Sequence, residues 1–229
     1  MTQPAEARFS SYFIAVVAFF VASLVISNIV AVKLTLVQGL VLPAAVILFP
    51  VSYILGDVLT EVYGYGAARR VIWLGFLCNF LAVIAIWLGG LLPAAPFWGD
   101  QTAYDRILGT TPRLLLASFL AYLVGEFANA MIMSKLKVAM AGRHLWIRTI
   151  GSTLVGEGLD SAVFITIAFF DVMPPGVLTA AIVTQWLVKS GYEALATPLT
   201  YLVVNFLKRR EGIDVYDRQI TFNPFSSGK

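Results

Sequence analysis

Seven ionisable side chains fall inside long apolar runs: Asp57, Glu61, Glu126, Glu157, Asp160, Lys189 and Glu193, with Asn79, Asn129 and Gln185 in the same runs. Their spacing is helical. Asp57 and Glu61 are four apart, Glu126 and Asn129 three, Glu157 and Asp160 three, and Gln185, Lys189 and Glu193 form a ladder of fours. Such spacing puts each set on one helix face, so four helices each present a polar stripe. Carboxylates accept hydrogen bonds and Lys, Asn and Gln donate them, a combination suited to holding a polar solute; a buried carboxylate can also carry a proton. At about 2.5–3.5 kcal/mol for each charge at a helix centre, seven such groups facing lipid would cost about 20 kcal/mol, so they must face inward. One lysine does not neutralise six carboxylates, so some acids are protonated or reached by water or ligand. The competing reading is structural, with Lys189 neutralised by Glu193 or another acid and the amides joining helices. So many groups together favour a solute or ion route.

The elements that position these residues follow from composition. The chain has 229 residues, 59% hydrophobic and 13% charged, with a mean hydropathy of +0.83. Soluble domains carry about 25% charged residues, and a chain this small has too much surface to hide so much apolar area from water. A bilayer core about 30 Å thick needs about 20 apolar helical residues. Six runs qualify: about Tyr12 to Val32, Leu40 to Glu61, Val71 to Leu92, Leu114 to Lys135, Thr149 to Phe170 and Val177 to Leu207. Pro198 predicts a kink in the sixth, and the charges and glycines of the fifth demand burial among other helices. The expected fold is an all-α membrane protein, a compact bundle of six transmembrane helices in one domain, with residues 208–229 as a cytoplasmic tail. The first run is too long for the apolar core of a cleavable signal peptide.

Positive charge sets the topology. Arg8, Arg69, Arg70, Lys135, Lys137, Arg143, Arg148, Lys208, Arg209, Arg210, Arg218 and Lys229 fall on one side, against Lys33, Arg106 and Arg113 on the other. Both termini are therefore expected in the cytoplasm, and the net charge of +3 reports topology and not nucleic-acid binding. One Cys and one His argue against disulfides and against a metal or haem cofactor. No nucleotide-binding or hydrolase motif appears, and Gly64-Tyr65-Gly66 reads as a turn before Arg69-Arg70. Ala117, Ala121 and Gly125 repeat at fours, as in close helix packing.

The stretches ILGDVLTEVYGYGAARRVIW (54–73), GEFANAMIMSKLK (125–137), RTIGSTLVGEGLDSAVF (148–164) and KSGYEALATPLTYLVVNFLKRREGIDVYD (189–217) resemble the bacterial queuosine precursor transporters, within a larger group of vitamin-uptake-like membrane proteins. The resemblance implies import of 7-cyano-7-deazaguanine, or its aminomethyl relative, across the inner membrane, and a fold similar to the substrate-binding subunits of energy-coupling-factor transporters. A deazaguanine offers an N–H and an amino group that a carboxylate accepts together, a carbonyl oxygen, and a flat ring. Glu126, Glu157 or Asp160 suit the acceptor role, Asn129, Gln185 or Lys189 the donor role, and Trp186 or Tyr192 the stacking role, with Asn79 at similar depth. Asp57, Glu61 and Glu193 are left as coupling or structural charges. A substrate-capture subunit dependent on a separate ATP-driven module is the alternative, and an intramembrane enzyme a remote one. A homodimer is left open as a further partner.

Overall fold

The computed structural model describes residues 10–37, 40–109 and 112–226. Among them are seven α-helices and one hairpin: α1 (Ser11–Val30), β1 (Leu34–Val37), β2 (Leu40–Pro43), α2 (Phe49–Tyr63), α3 (Tyr65–Leu91), α4 (Gln101–Leu108), α5 (Pro112–Ala139), α6 (Leu145–Phe169) and α7 (Pro175–Glu211). Four segments are long and apolar enough to cross a membrane: Ser11–Val30, Tyr65–Leu91, Gln101–Ala139 and Leu145–Phe169. The protein is an all-α membrane protein in which α1, α2, α3, α5, α6 and α7 form the bundle.

The second apolar run departs from expectation. Its first part is not helix: β1 and β2 pair antiparallel, Leu34 opposite Pro43 and Val37 opposite Leu40. A 3-10 turn at Ala44–Ile47 follows, and α2 begins only at Phe49. Pro50 in the first turn of α2 explains the late start, since its fixed φ and missing N–H are tolerated there and nowhere deeper. With 15 residues, α2 is about 22 Å long, less than a bilayer core.

Short as it is, α2 is the bundle's axis. Residues Asp57 to Val62 are buried in succession, the mark of a helix surrounded on all sides. It packs against α1, α3, α5 and α7, while α3, α5, α6 and α7 continue around it by contact with their neighbours. The apolar core, with Phe20, Val58, Val62, Tyr65, Met133 and Val204 among its members, runs along this axis.

Gly64 makes the abrupt passage from α2 to α3. Its φ is +83°, and a β-carbon there would lie 2.7 Å from Val215 Cγ1, so both the turn and the close approach require glycine. Val215 belongs to the chain after α7, expected as a cytoplasmic tail. Residues 213–225 lie against the bundle. Val215 N–H donates to Val62 O at 3.2 Å, Tyr65 N–H to Asp217 at 2.7 Å, Arg69 to Asn223 O at 3.0 Å, and Trp73 Nε1 to Pro224 O at 2.9 Å.

Candidate functional site

Lys189 of α7 reaches α6, where its ammonium lies 2.9 Å from Glu157 and hydrogen-bonds Asp160. The three side chains are largely buried, at 17%, 12% and 20% exposure. Tyr53 of α2 hydrogen-bonds Glu157, and Glu126 of α5 faces the same group of charges, with Glu157, Asp57, Asp160 and Lys189 all acting on it. On the other side of Glu126, Asn129 donates to Asp57 at 3.0 Å. The polar stripes of α2, α5, α6 and α7 thus meet.

Two glycines allow that meeting. A β-carbon at Gly156 would lie 2.8 Å from Asn129 Cβ and 3.0 Å from Gly125 O; one at Gly125 would lie 2.9 Å from Asp160 Cβ. The α5 and α6 backbones therefore touch directly, a small-residue crossing of the kind that joins helices in membranes. Asn129 and Asp160 flank this crossing, so the same contact that packs the helices positions two polar groups.

A second charge network closes one end of the bundle. Glu61, fully buried, takes Arg148 at 2.7 Å and Lys208 at 2.7 Å, with Lys137 at 3.8 Å. Lys137 also donates to the Glu61 backbone carbonyl, and Asp214 joins Lys137 at 2.5 Å and Lys208 at 2.8 Å. Lys137, Arg148, Arg69 and Lys208 read in sequence as charges that set the topology. The structure engages all four with Glu61 or with the docked chain after α7, and the first three are almost wholly buried. Glu61 is thereby an anchor for three helices and separate from the Lys189 group.

The remaining expected site residues divide. Trp186 donates its indole N–H to Leu154 O at 2.8 Å and lies against Gly158, fixing α7 to α6 beside the site. Gln185 is half-buried one turn from Lys189. Asn79 belongs elsewhere: Asn28 donates to it at 3.0 Å across the α1–α3 contact. Tyr192 sits on the exposed side of α7 while its neighbour Glu193 is fully buried, because one residue step turns a helix face by about 100°. Tyr53 was not among the expected site residues; the available signal was its position four residues before Asp57, on the same face. Two surface grooves coincide with neither network. One of about 460 Å³ follows apolar α1 residues from Phe13 to Ala22, and one of about 370 Å³ lies along α7 near Asn205, Arg209 and Arg210.

Chemically, the Lys189 group offers acceptors on Glu126, Glu157 and Asp160 and donors on Lys189, Tyr53 and Asn129, within an otherwise apolar bundle. Donors and acceptors are thus gathered in one place, the chemistry by which a compact polar solute is held.

Comparison with known proteins agrees with a solute carrier. Residues 43–203 match the family model described as "Putative vitamin uptake transporter". A "Probable queuosine precursor transporter" of Bacillus subtilis (strain 168) is 28% identical over 82% of this chain and 82% of its own length. One so named from Haemophilus influenzae (strain ATCC 51907 / DSM 11121 / KW20 / Rd) is 27% identical over 56% of this chain and 52% of its own. The "Queuosine precursor transporter" of Escherichia coli (strain K12) is 26% identical over 53% of this chain and 52% of its own. No solved structure matches the chain. With most of its bundle covered by that family model, the chain belongs to the vitamin uptake transporter family and is a transporter, not an enzyme.

Proposed function

We propose that this transporter imports a queuosine precursor, 7-cyano-7-deazaguanine or its aminomethyl relative, into the bacterial cytoplasm across the inner membrane. The observation that carries the reading is the meeting of Lys189, Glu157, Asp160, Tyr53 and Glu126 inside the bundle, in a chain whose relatives bear that transporter name. The solute takes the carboxylates by its N–H and amino edge, displacing the Lys189 ammonium, which then turns to the solute's carbonyl oxygen. Asn129 and Gln185 supply further donors, and Trp186 an aromatic wall. Arg148, Lys137, Arg69 and Lys208 gather at the end of the bundle where the chain after α7 docks, which supports placing that end, and both termini, in the cytoplasm.

The test is uptake of radiolabelled 7-cyano-7-deazaguanine by the purified chain in liposomes. Saturable uptake competed by the unlabelled compound, and lost in Asp160→Asn and Lys189→Ala proteins that still elute as folded, supports both solute and site. Uptake seen only after an ATP-hydrolysing module is added would instead make the chain a capture subunit.

A further inference from the structure

Glu193 makes no side-chain hydrogen bond to the Lys189 group. It is 0% exposed, and neither carboxyl oxygen has a hydrogen-bond partner among the described residues. Its surroundings are acidic from each side. Its helix packs against α2 and α6, and the charges that reach it are carboxylates, Asp57 of α2 with Glu157 of α6 and Glu126 of α5. The cations nearest in sequence on its own helix are committed elsewhere, Lys189 to Glu157 and Asp160 and Lys208 to Glu61 and Asp214. Asp57 is 1% exposed; one of its oxygens takes the Asn129 amide, and the other has no partner among the described residues.

Two buried carboxyls on packed helices, each with an oxygen that has no partner among the described residues and neither paired with a cation, do not both stay ionised in an apolar bundle. A hydroxyl from a bound proton supplies the donor both lack. A metal ion is disfavoured because hard cations need six or more oxygens, whereas Asn129 already occupies one Asp57 oxygen and no group of metal-binding residues occurs among those described. The backbone around Glu193 is also adapted. Pro198 has no N–H for the Ala194 carbonyl, and Thr197 Oγ1 donates to the Glu193 carbonyl at 3.0 Å, leaving a weakened turn beside the carboxyl.

We propose that Glu193 and Asp57 form a proton-carrying carboxyl pair, distinct from the Lys189 site, whose loading and unloading couples solute entry to the proton gradient. The coupling half of this inference rests on the transporter reading above; the proton-holding half does not. In each cycle a hydronium in the outer water gives up one O–H bond as a carboxylate oxygen gains one, and on the cytoplasmic side that carboxyl O–H breaks as a water gains the proton, so atoms and charge balance.

Two measurements separate the halves. Infrared spectra of the lipid-reconstituted protein, without solute, at about pH 7, where an exposed glutamate is ionised, should show the carbonyl stretch of a protonated carboxylic acid, weakened in Glu193→Gln. Absence of that band in the wild type, or an unchanged band in both Glu193→Gln and Asp57→Asn, overturns the pair. In liposomes, one acid pH unit outside should raise 7-cyano-7-deazaguanine accumulation by about tenfold for one proton per solute. Glu193→Gln should keep solute binding while that ratio falls to about one. A wild-type ratio of one, or an unchanged ratio in Glu193→Gln, overturns coupling. A wild type that takes up no solute at all fails the transport reading and leaves the infrared result to judge the pair.

Discussion

At the scale of single residues, Arg148 and Lys189 carry opposite lessons about buried charge. Arg148 is 1% exposed beside fully buried Glu61, and removing one partner of such a pair leaves the other unneutralised at a cost of about 3–5 kcal/mol. Arg148→Met should therefore lower thermal stability in detergent, read by size-exclusion survival after heating, without touching the solute site. Lys189 holds two carboxylates together, so Lys189→Met should destabilise strongly alone and much less when combined with Asp160→Asn. That non-additivity, measured as a thermodynamic cycle in thermal stability, marks a shared network. Gly142 is constrained twice over: its φ is +75°, and a β-carbon would fall 2.1 Å from the Tyr216 hydroxyl. Gly142→Ala should loosen the docked chain, and Tyr216→Ala in the same protein should relieve only the collision, not the strained φ. Limited proteolysis of the last residues reports both.

At the scale of elements, the α5–α6 crossing is the joint on which the site depends. Gly156→Ala places a methyl against Asn129 and the Gly125 carbonyl; overpacking of this kind costs about 1–3 kcal/mol. Because Asn129 and Asp160 ride on that joint, solute affinity should fall along with stability, whereas Gly176→Ala, with open space around it, should leave both unchanged. Binding of 7-cyano-7-deazaguanine to the two purified variants checks this. The sequence made the polar stripes of α5, α6 and α7 readable because charge inside apolar helices leaves few orientations open. It did not reveal that Leu34–Val37 and Leu40–Pro43 form a hairpin, since a short apolar run looks alike as strand or buried helix. Pro43 and Pro50 were the clues that the second run is not one helix. Nor did spacing reveal Asn79 with Asn28, or Tyr192 facing outward, because periodicity fixes which residues share a face and not which neighbour that face meets.

At the scale of the whole molecule, the chain after α7 is a clamp across α2, α3 and α5. Read as sequence, Ile213 to Asn223 is part of a tail whose packing no pattern announces; its Val215, Tyr216, Ile220 and Phe222 dock. Burial alone would raise the pKa of Asp214, but the hydrogen bonds from Lys137 and Lys208 outweigh it and hold the carboxyl below its ordinary 3.8. Its contribution is therefore complete above that ordinary value and fades as pH falls through the lowered one. Acidification below about pH 4 should release the clamp, seen as a change in Trp73 emission, because Trp73 packs on Phe225 at a centroid distance of 5.6 Å; the change should be absent in Trp73→Phe. The anchor that the clamp covers also governs how the protein is made. The two cations at 2.7 Å from Glu61 lie 87 and 147 residues after it, so when α2 leaves the ribosome the carboxyl near its C-terminal end has neither. The axis of the bundle is laid down before its counter-charges exist, and α2 cannot take its final place until Arg148 and Lys208 have been made. A ribosome that stops before Lys208 leaves behind a bundle whose buried anchor lacks one of its counter-charges.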